Sequence, residues 1–211
     1  MIVLNPSEAR VLGCLIEKKL STPNSYPLTL NSLVAACNQS SNRDPVVNYD
    51  QYVVNDALVA TRNQGLSLRL SKSGSRTAKF DEQLCEKLSL NDKRAAILAE
   101  LMLRGPQTPG ELRQRTTRMV DFPDLSEVEE ILDKLASREE PIVVKLPKQP
   151  GKREARYAHT LCGYVEPSHH DSAEEEAASP SRSDLEARVA ELEDQVASLS
   201  ARLETLEQAL S

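Results

Sequence analysis

The 211-residue sequence carries 26 Lys and Arg against 32 Asp and Glu, a formal charge of −6, and its aromatics are limited to two Phe and five Tyr, so any core is aliphatic. No stretch approaches the ~18 apolar residues of a membrane span, and the N-terminus lacks a basic segment followed by an apolar one, so no membrane association and a cytoplasmic location are expected. The acidity is uneven: residues 1–80 sum to +4, 81–165 to −1 and 166–211 to −9, which leaves the N-terminal part compatible with a polyanion.

In chain order, Asn5 or Ser7 can cap a helix whose Val11, Leu12, Leu15 and Ile16 recur at helical spacing. STPNSYP at 21–27 breaks it. Thr29 caps a short second helix with Leu30, Leu33 and Val34 inward, and the polar turn NQSSNRDP (38–45) follows. Asp50 caps a third helix. Tyr49 before it and Val54 inside it are spaced as a hydrophobic staple, Val54, Ala57, Leu58 and Thr61 form its buried face, and Gly65 ends it. LSLRL (66–70) and TAKF (77–80) then read as two strands around the turn KSGSR.

The same order repeats. Leu90 and Asn91 match Leu4 and Asn5, and Ile97, Leu98 and Leu101 match Val11, Leu12 and Leu15 at a constant offset of 86. Thr108 and Leu112 match Thr29 and Leu33, while Asp124, Val128 and Leu132 match Asp50, Val54 and Leu58. IVVKL (142–146) and REARYAH (153–159) form a second strand pair around PKQPGK. The stretch LRGPQTPGELRQRT (103–116) is therefore a helix–turn–helix corner, with Gly105-Pro106 as the stop, Thr108 as N-cap, Pro109 at the first helical position and Glu111 closing a capping box. It lacks the phosphate-loop pattern and no strand precedes it. Beyond residue 165 the polar, acidic segment 166–183 reads as a disordered linker, and its His169-His170 pair has no fixed partners for a metal. From 185 onward, Leu185, Val189, Leu192, Val196, Leu199, Leu203, Leu206 and Leu210 are spaced 4-3-4-3-4-3-4. Leu fills every d position and the a positions are Val189, Val196, Leu203 and Leu210; the β-branched a residues with Leu at d point to a parallel dimer, with Arg188 and Arg202 facing Glu193 and Glu207 of the partner helix, and a helix folded back on its own domains is the alternative.

The expected fold is mainly α with small β-hairpin wings: two tandem winged-helix domains (1–83 and 84–165), a disordered acidic linker (166–183) and a C-terminal coiled-coil helix (184–211). The stretches TPNSYPLTLN (22–31), ACNQ (36–39), NRDPV (42–46), LRGPQTPGELR (103–113), Arg118-Met119 with Phe122, and REARYAH (153–159) resemble the YceH family, bacterial proteins of unknown function with two winged-helix domains. The resemblance covers residues 4–164, and the tail is similar too. It implies the fold and no particular activity. Ser40 departs from the lysine common at that position in the family, which counts against a phosphate contact in that turn.

Catalysis is not expected. His159 is the sole histidine inside the folded region, no Cys–His, Ser–His or H-E-x-x-H spacing accompanies it, and no G-x-G-x-x-G loop suggests a cofactor, so none is expected. Cys14, Cys37, Cys85 and Cys162 make no C-x-x-C pair and read as isolated core thiols in a reducing compartment rather than disulfides or zinc ligands. A winged helix contacts DNA with its third helix in the major groove and its wing on the backbone. The outward face of the first third helix carries Tyr52, Asn55, Asp56, Val59 and Arg62. Asn55 and Arg62 suit base edges, Asp56 opposes phosphate, and Arg43, Lys72, Arg76 and Lys79 lie in the preceding turn and the wing. The second third helix turns Glu129, Glu130 and Asp133 outward, leaving Lys148, Lys152 and Arg153 of its wing isolated. The second domain therefore reads as a protein-contact or dimer-support module, and two readings of the whole stay open: a dimeric DNA-binding regulator acting on double-stranded DNA through the first domain, or a scaffold whose tandem winged helices grip another protein without binding DNA.

Overall fold

The computed structural model of the chain describes residues 2–71, 77–148 and 154–163. The expected linker and coiled-coil seam, Leu185 to Leu210, lie outside the described residues, as do Lys72, Arg76, Lys152 and Arg153. The described part is mainly helical, with two small antiparallel sheets, and is winged-helix-like.

Helix α1 (Pro6–Ser21) starts at Asn5, not Ser7, in a closed capping box: the Glu8 N–H donates to Asn5 Oδ1 at 2.9 Å and the Asn5 N–H to Glu8 Oε2 at 3.0 Å. A two-residue strand β1 (Leu28–Thr29), not anticipated from the sequence, leads into α2 (Leu30–Cys37), capped by Thr29. Helix α3 (Gln51–Asn63) is capped by Asp50 and ends as expected, with Gly65 at a φ of +67° donating to the Arg62 carbonyl. Strands β2 (Ser67–Leu70) and β3 (Lys79–Glu82) follow. Because β1 joins them, the first sheet has three strands in the order β1-β3-β2. A single-turn helix α4 (Leu84–Lys87) leads to the second half.

There α5 (Asp92–Arg104) is capped by Asn91, α6 (Pro109–Thr116) by the Thr108–Glu111 box, and α7 (Leu125–Ala136) by Asp124. Strands β4 (Val143–Lys145) and β5 (Tyr157–His159) pair antiparallel. Gln107 bridges Tyr157 at the place β1 occupies in the first half, so the repeat extends further than the sequence suggested. The Gly-Pro corner resolves as a helix–turn–helix: Gly105 terminates α5 at a φ of +71° and Thr108 opens α6.

Helix α1 serves two cores, which is why its middle turns are apolar all round. Val11, Cys14 and Leu15 pack with Leu33, Cys37, Val54, Leu58 and Phe80. Leu12 and Ile16 join a larger cluster that includes Leu98, Leu101, Phe122, Leu132 and Tyr157. That cluster crosses the 83/84 boundary, and the described residues of both halves fall in one compact unit. Gly13 allows the close approach of α1 to α5: a Cβ there would meet Leu103 Cδ2 at 3.1 Å and Met102 Cβ at 3.2 Å.

Polar side chains reinforce this junction. Glu17 of α1 accepts two bonds from Arg43 (3.1 and 2.6 Å) and two from Arg118 (3.0 and 2.8 Å), and Arg118 also reaches Glu100 of α5 at 2.6 Å. Burial alone would raise the Glu17 carboxyl. The Arg43 bonds and charge outweigh it, so Glu17 sits below the usual carboxylate range. Glu100, fully buried, stays raised because Arg118 and Arg104 only partly offset its desolvation. Backbone bonds from Leu4 to Leu161 and from Asp44 to Leu103 close the junction at either side.

Candidate nucleic-acid interface

The outward face of α3 is as the helical period predicts: Tyr52, Asn55, Asp56 and Val59 are exposed, while Val54, Ala57, Leu58 and Thr61 are buried. Asn55, Val59 and Arg62 fall at i, i+4 and i+7 and so form one stripe. The stripe is one wall of a groove of about 430 Å³ whose other walls are the start of α2 and the first sheet.

The sheet contributes a residue that the sequence reading did not single out. Ser67 is buried against α3 through its bond to Thr61, which fixes the inner face of β2 as Ser67 and Arg69. Arg69 pairs across the ladder with Phe80 and lines the groove beside it. Leu68 and Leu70 consequently point outward and are exposed. Lys79, on the opposite face of β3 from Phe80, is exposed and does not line the groove.

The groove is set apart by what its arginines do not do. Elsewhere in the described residues the fold engages most of its guanidinium groups, Arg94 being an exception: Arg10 donates to the Pro45 carbonyl, Arg113 to the Phe122 and Pro123 carbonyls, Arg138 to the Leu88 carbonyl, and Arg156 to Glu111 and the Pro106 carbonyl. Arg62 and Arg69 make no side-chain hydrogen bond or ion pair with a described residue, and among the described residues no carboxylate lines the groove they share. Asn31 at its rim accepts from Gln51 Nε2 at 2.9 Å, which leaves the Asn31 amide N–H groups as donors.

Arg43 is a correction. Expected as an exposed contact in the turn before α3, its side chain is 0% exposed and donates to Glu17, Gln39 and the carbonyls of Ala36 and Asn42. The turn wraps around its own guanidinium, and Glu17 neutralises it, so no anion in solvent can reach it.

In the second half the corresponding helix face is acidic. Glu129, Glu130 and Asp133 of α7 are exposed, relieved only by Lys134 bonded to Glu130 at 3.1 Å. Lys148 is exposed beyond β4. His159 has its Nδ1 buried without a partner among the described residues, and burial holds its imidazole down to about 4, so it is neutral at neutral pH. All four cysteines are free thiols, but only Cys14 and Cys37 are buried in the core as expected; Cys85 is half-buried and Cys162 is exposed. Among the described residues no helix is long and apolar enough to cross a membrane, and no group of three or more His, Cys, Asp or Glu is placed to hold a metal ion.

A UPF0502 protein of Geobacter metallireducens is 51% identical over 199 residues, spanning 92% of this chain and 89% of that protein. The UPF0502 protein YceH of Escherichia fergusonii is 44% identical over 209 residues, with 96% and 95% covered, and a UPF0502 protein of Geobacter sulfurreducens is 49% identical over 203 residues, with 94% and 90% covered. The family model described as "Protein of unknown function, DUF480" matches residues 4–152. With that match and those identities, the chain belongs to the UPF0502 (YceH) family.

Proposed function

We propose that this is a non-enzymatic, cytoplasmic DNA-binding protein that engages duplex DNA through its first half. In this reading residues 1–83 and 84–165 are tandem winged helices, and the heptad seam at 184–211, after the acidic linker, makes the dimer. The observation that carries it is the pair of unpartnered arginines, Arg62 and Arg69, in a groove free of carboxylates beside the exposed face of α3. Asn55 on that face supplies an amide suited to adenine, and the guanidinium groups supply charge for the backbone. The second half favours a different partner: Glu129, Glu130 and Asp133 repel phosphate, so α7 is read as a protein-contact surface, which also keeps a scaffold function in view.

Fluorescence anisotropy of the full chain with labelled duplexes at about 50 and 200 mM salt tests the proposal. Each phosphate neutralised contributes about 0.9 to the log–log salt slope, so a real interface weakens steeply between those conditions. Absence of salt-sensitive binding to any duplex removes the DNA reading and leaves the scaffold.

A further inference from the structure

We propose that the groove between α3 and the inner face of the first sheet is a seat for one nucleotide phosphate, held by Arg62 and Arg69, with the attached sugar lying against Val59, Leu30 and Ala78. The inference deepens the nucleic-acid reading and rests on it for the identity of the ligand, though the seat itself rests on geometry.

Arg62 approaches from the last turn of a helix and Arg69 from a strand, so the two come from different elements into one cleft. Two like charges line this one groove, and no described carboxylate lines it to offset them, although the fold supplies one for Arg43, Arg115, Arg118 and Arg156. A phosphate oxyanion is the ligand whose geometry matches planar, forked donors from two directions. The remaining walls are neither charged nor wholly polar. Val59, Leu30 and Ala78 give an apolar strip next to the arginines, which a bare inorganic anion leaves unused and a sugar covers. About 430 Å³ falls toward the lower end of small-ligand clefts, which run from about 300 to 1,000 Å³, and suits a single nucleotide unit rather than a larger cofactor.

This assignment changes the role of Arg62. As a base reader it would govern sequence preference. As half of a phosphate seat it governs affinity for every sequence alike and the salt slope, leaving sequence preference to Asn55. The same chemistry has two sources, a phosphodiester of duplex DNA or a free nucleotide, and both are probed.

The experiment follows the arginine Nε–Hε resonances of the full chain by NMR while titrating thymidine 5′-monophosphate in one arm and a short duplex in the other. Arg69→Ala, Arg69→Gln and Arg62→Ala are compared with Arg94→Ala, an unpaired arginine outside the groove. Both Arg62 and Arg69 signals are expected to move together with at least one ligand. Each groove substitution should weaken that ligand by on the order of tenfold, and Arg94→Ala should change it little. Arg69 is exposed on an edge strand, so these variants are expected to keep the parent circular dichroism; Arg69→Gln retains most of the stem if Arg69→Ala does not. Response to the nucleotide alone supports the seat and rejects the DNA reading. Duplex binding that leaves Arg62 and Arg69 unmoved, and is indifferent to their substitution, overturns the seat while the DNA reading stands. No response to either ligand overturns both.

Discussion

Arg118→Met tests whether the two halves are held by charge as well as by their shared core. The substitution keeps the aliphatic stem and deletes the guanidinium that joins Glu17 at 2.8 Å to Glu100 at 2.6 Å. Glu17 keeps its two bonds from Arg43. Glu100 is left with the Arg104 guanidinium at 3.9 Å, while one of its oxygens already has no hydrogen-bond partner among the described residues. Removing one partner of a buried pair costs about 3–5 kcal/mol; Arg118 is 23% exposed, and solvent screens part of its charge, so a loss of about 2–4 kcal/mol is expected. At about 2–4 °C per kcal/mol for a unit of this size, the melting temperature falls by about 5–15 °C. The pH dependence has a definite sign. Glu100 is already raised, and losing Arg118 raises it further. Its protonation stabilises the folded variant below the new folded value, so the deficit against the parent widens as pH rises from the unfolded carboxyl range and narrows toward acid. Adding Glu100→Gln to Arg118→Met removes the stranded charge and should recover a large part of the loss. Thermal melts at two pH values check both points. A variant melting within about 2 °C of the parent at neutral pH, or a double variant no better than the single, would refute the reasoning.

Arg43→Met should destabilise the chain by about 3–5 kcal/mol in urea titration, with any DNA salt slope unchanged, because Arg43 is a buried partner of Glu17 and not a surface contact. Gly13→Val places a branched side chain where even a Cβ meets Leu103 at 3.1 Å, and a loss of about 1–3 kcal/mol or more is expected by the same measurement. Thr108→Ala opens the capping box at α6 and should cost about 1 kcal/mol. Deleting residues 184–211 is expected to convert a dimer into a monomer in sedimentation equilibrium while both halves keep their helicity; an unchanged mass would move the interface elsewhere.

Much of the described architecture is readable locally. Asn5, Thr29, Asp50, Asn91, Thr108 and Asp124 each cap the helix that the apolar period assigns to them, because a cap and the turn it satisfies lie within four residues. Strand β1 was not readable. Two residues carry no period, and Leu28-Thr29 becomes a strand only because β3 comes back to pair with it. The shared core was also hidden. An apolar residue in α1 looks the same whether it faces α3, as Val11 does, or α5, as Leu12 does.

The candidate site divides along the same line. The exposed stripe of α3 follows from helical phase alone, so Asn55 and Arg62 were legible. Arg69 was not, and the reason is instructive. In LSLRL an alternating reading sends the leucines inward and Arg69 out, yet Thr61 claims Ser67 with a 2.8 Å bond and reverses the strand's faces. Leu66 stays buried ahead of the strand, while Leu68 and Leu70 are exposed on its outer face and Arg69, also exposed, lines the groove. Arg43 fails in the opposite direction. A polar turn with an arginine looks solvated until Glu17, 26 residues earlier, is known to face it. The stretches that carry the family resemblance, NRDPV, LRGPQTPGELR, Arg118-Met119 and REARYAH, supply Arg43, Gln107, Glu111, Arg118 and Arg156, and their side chains are engaged in holding the fold together. They argue for a common architecture. Asn55, Arg62 and Arg69, whose side chains hold nothing in the fold, lie outside these stretches, while the further family stretch TPNSYPLTLN brings Leu30 and Asn31 to the wall of the same groove, so the groove is built from one shared stretch and from residues between the others.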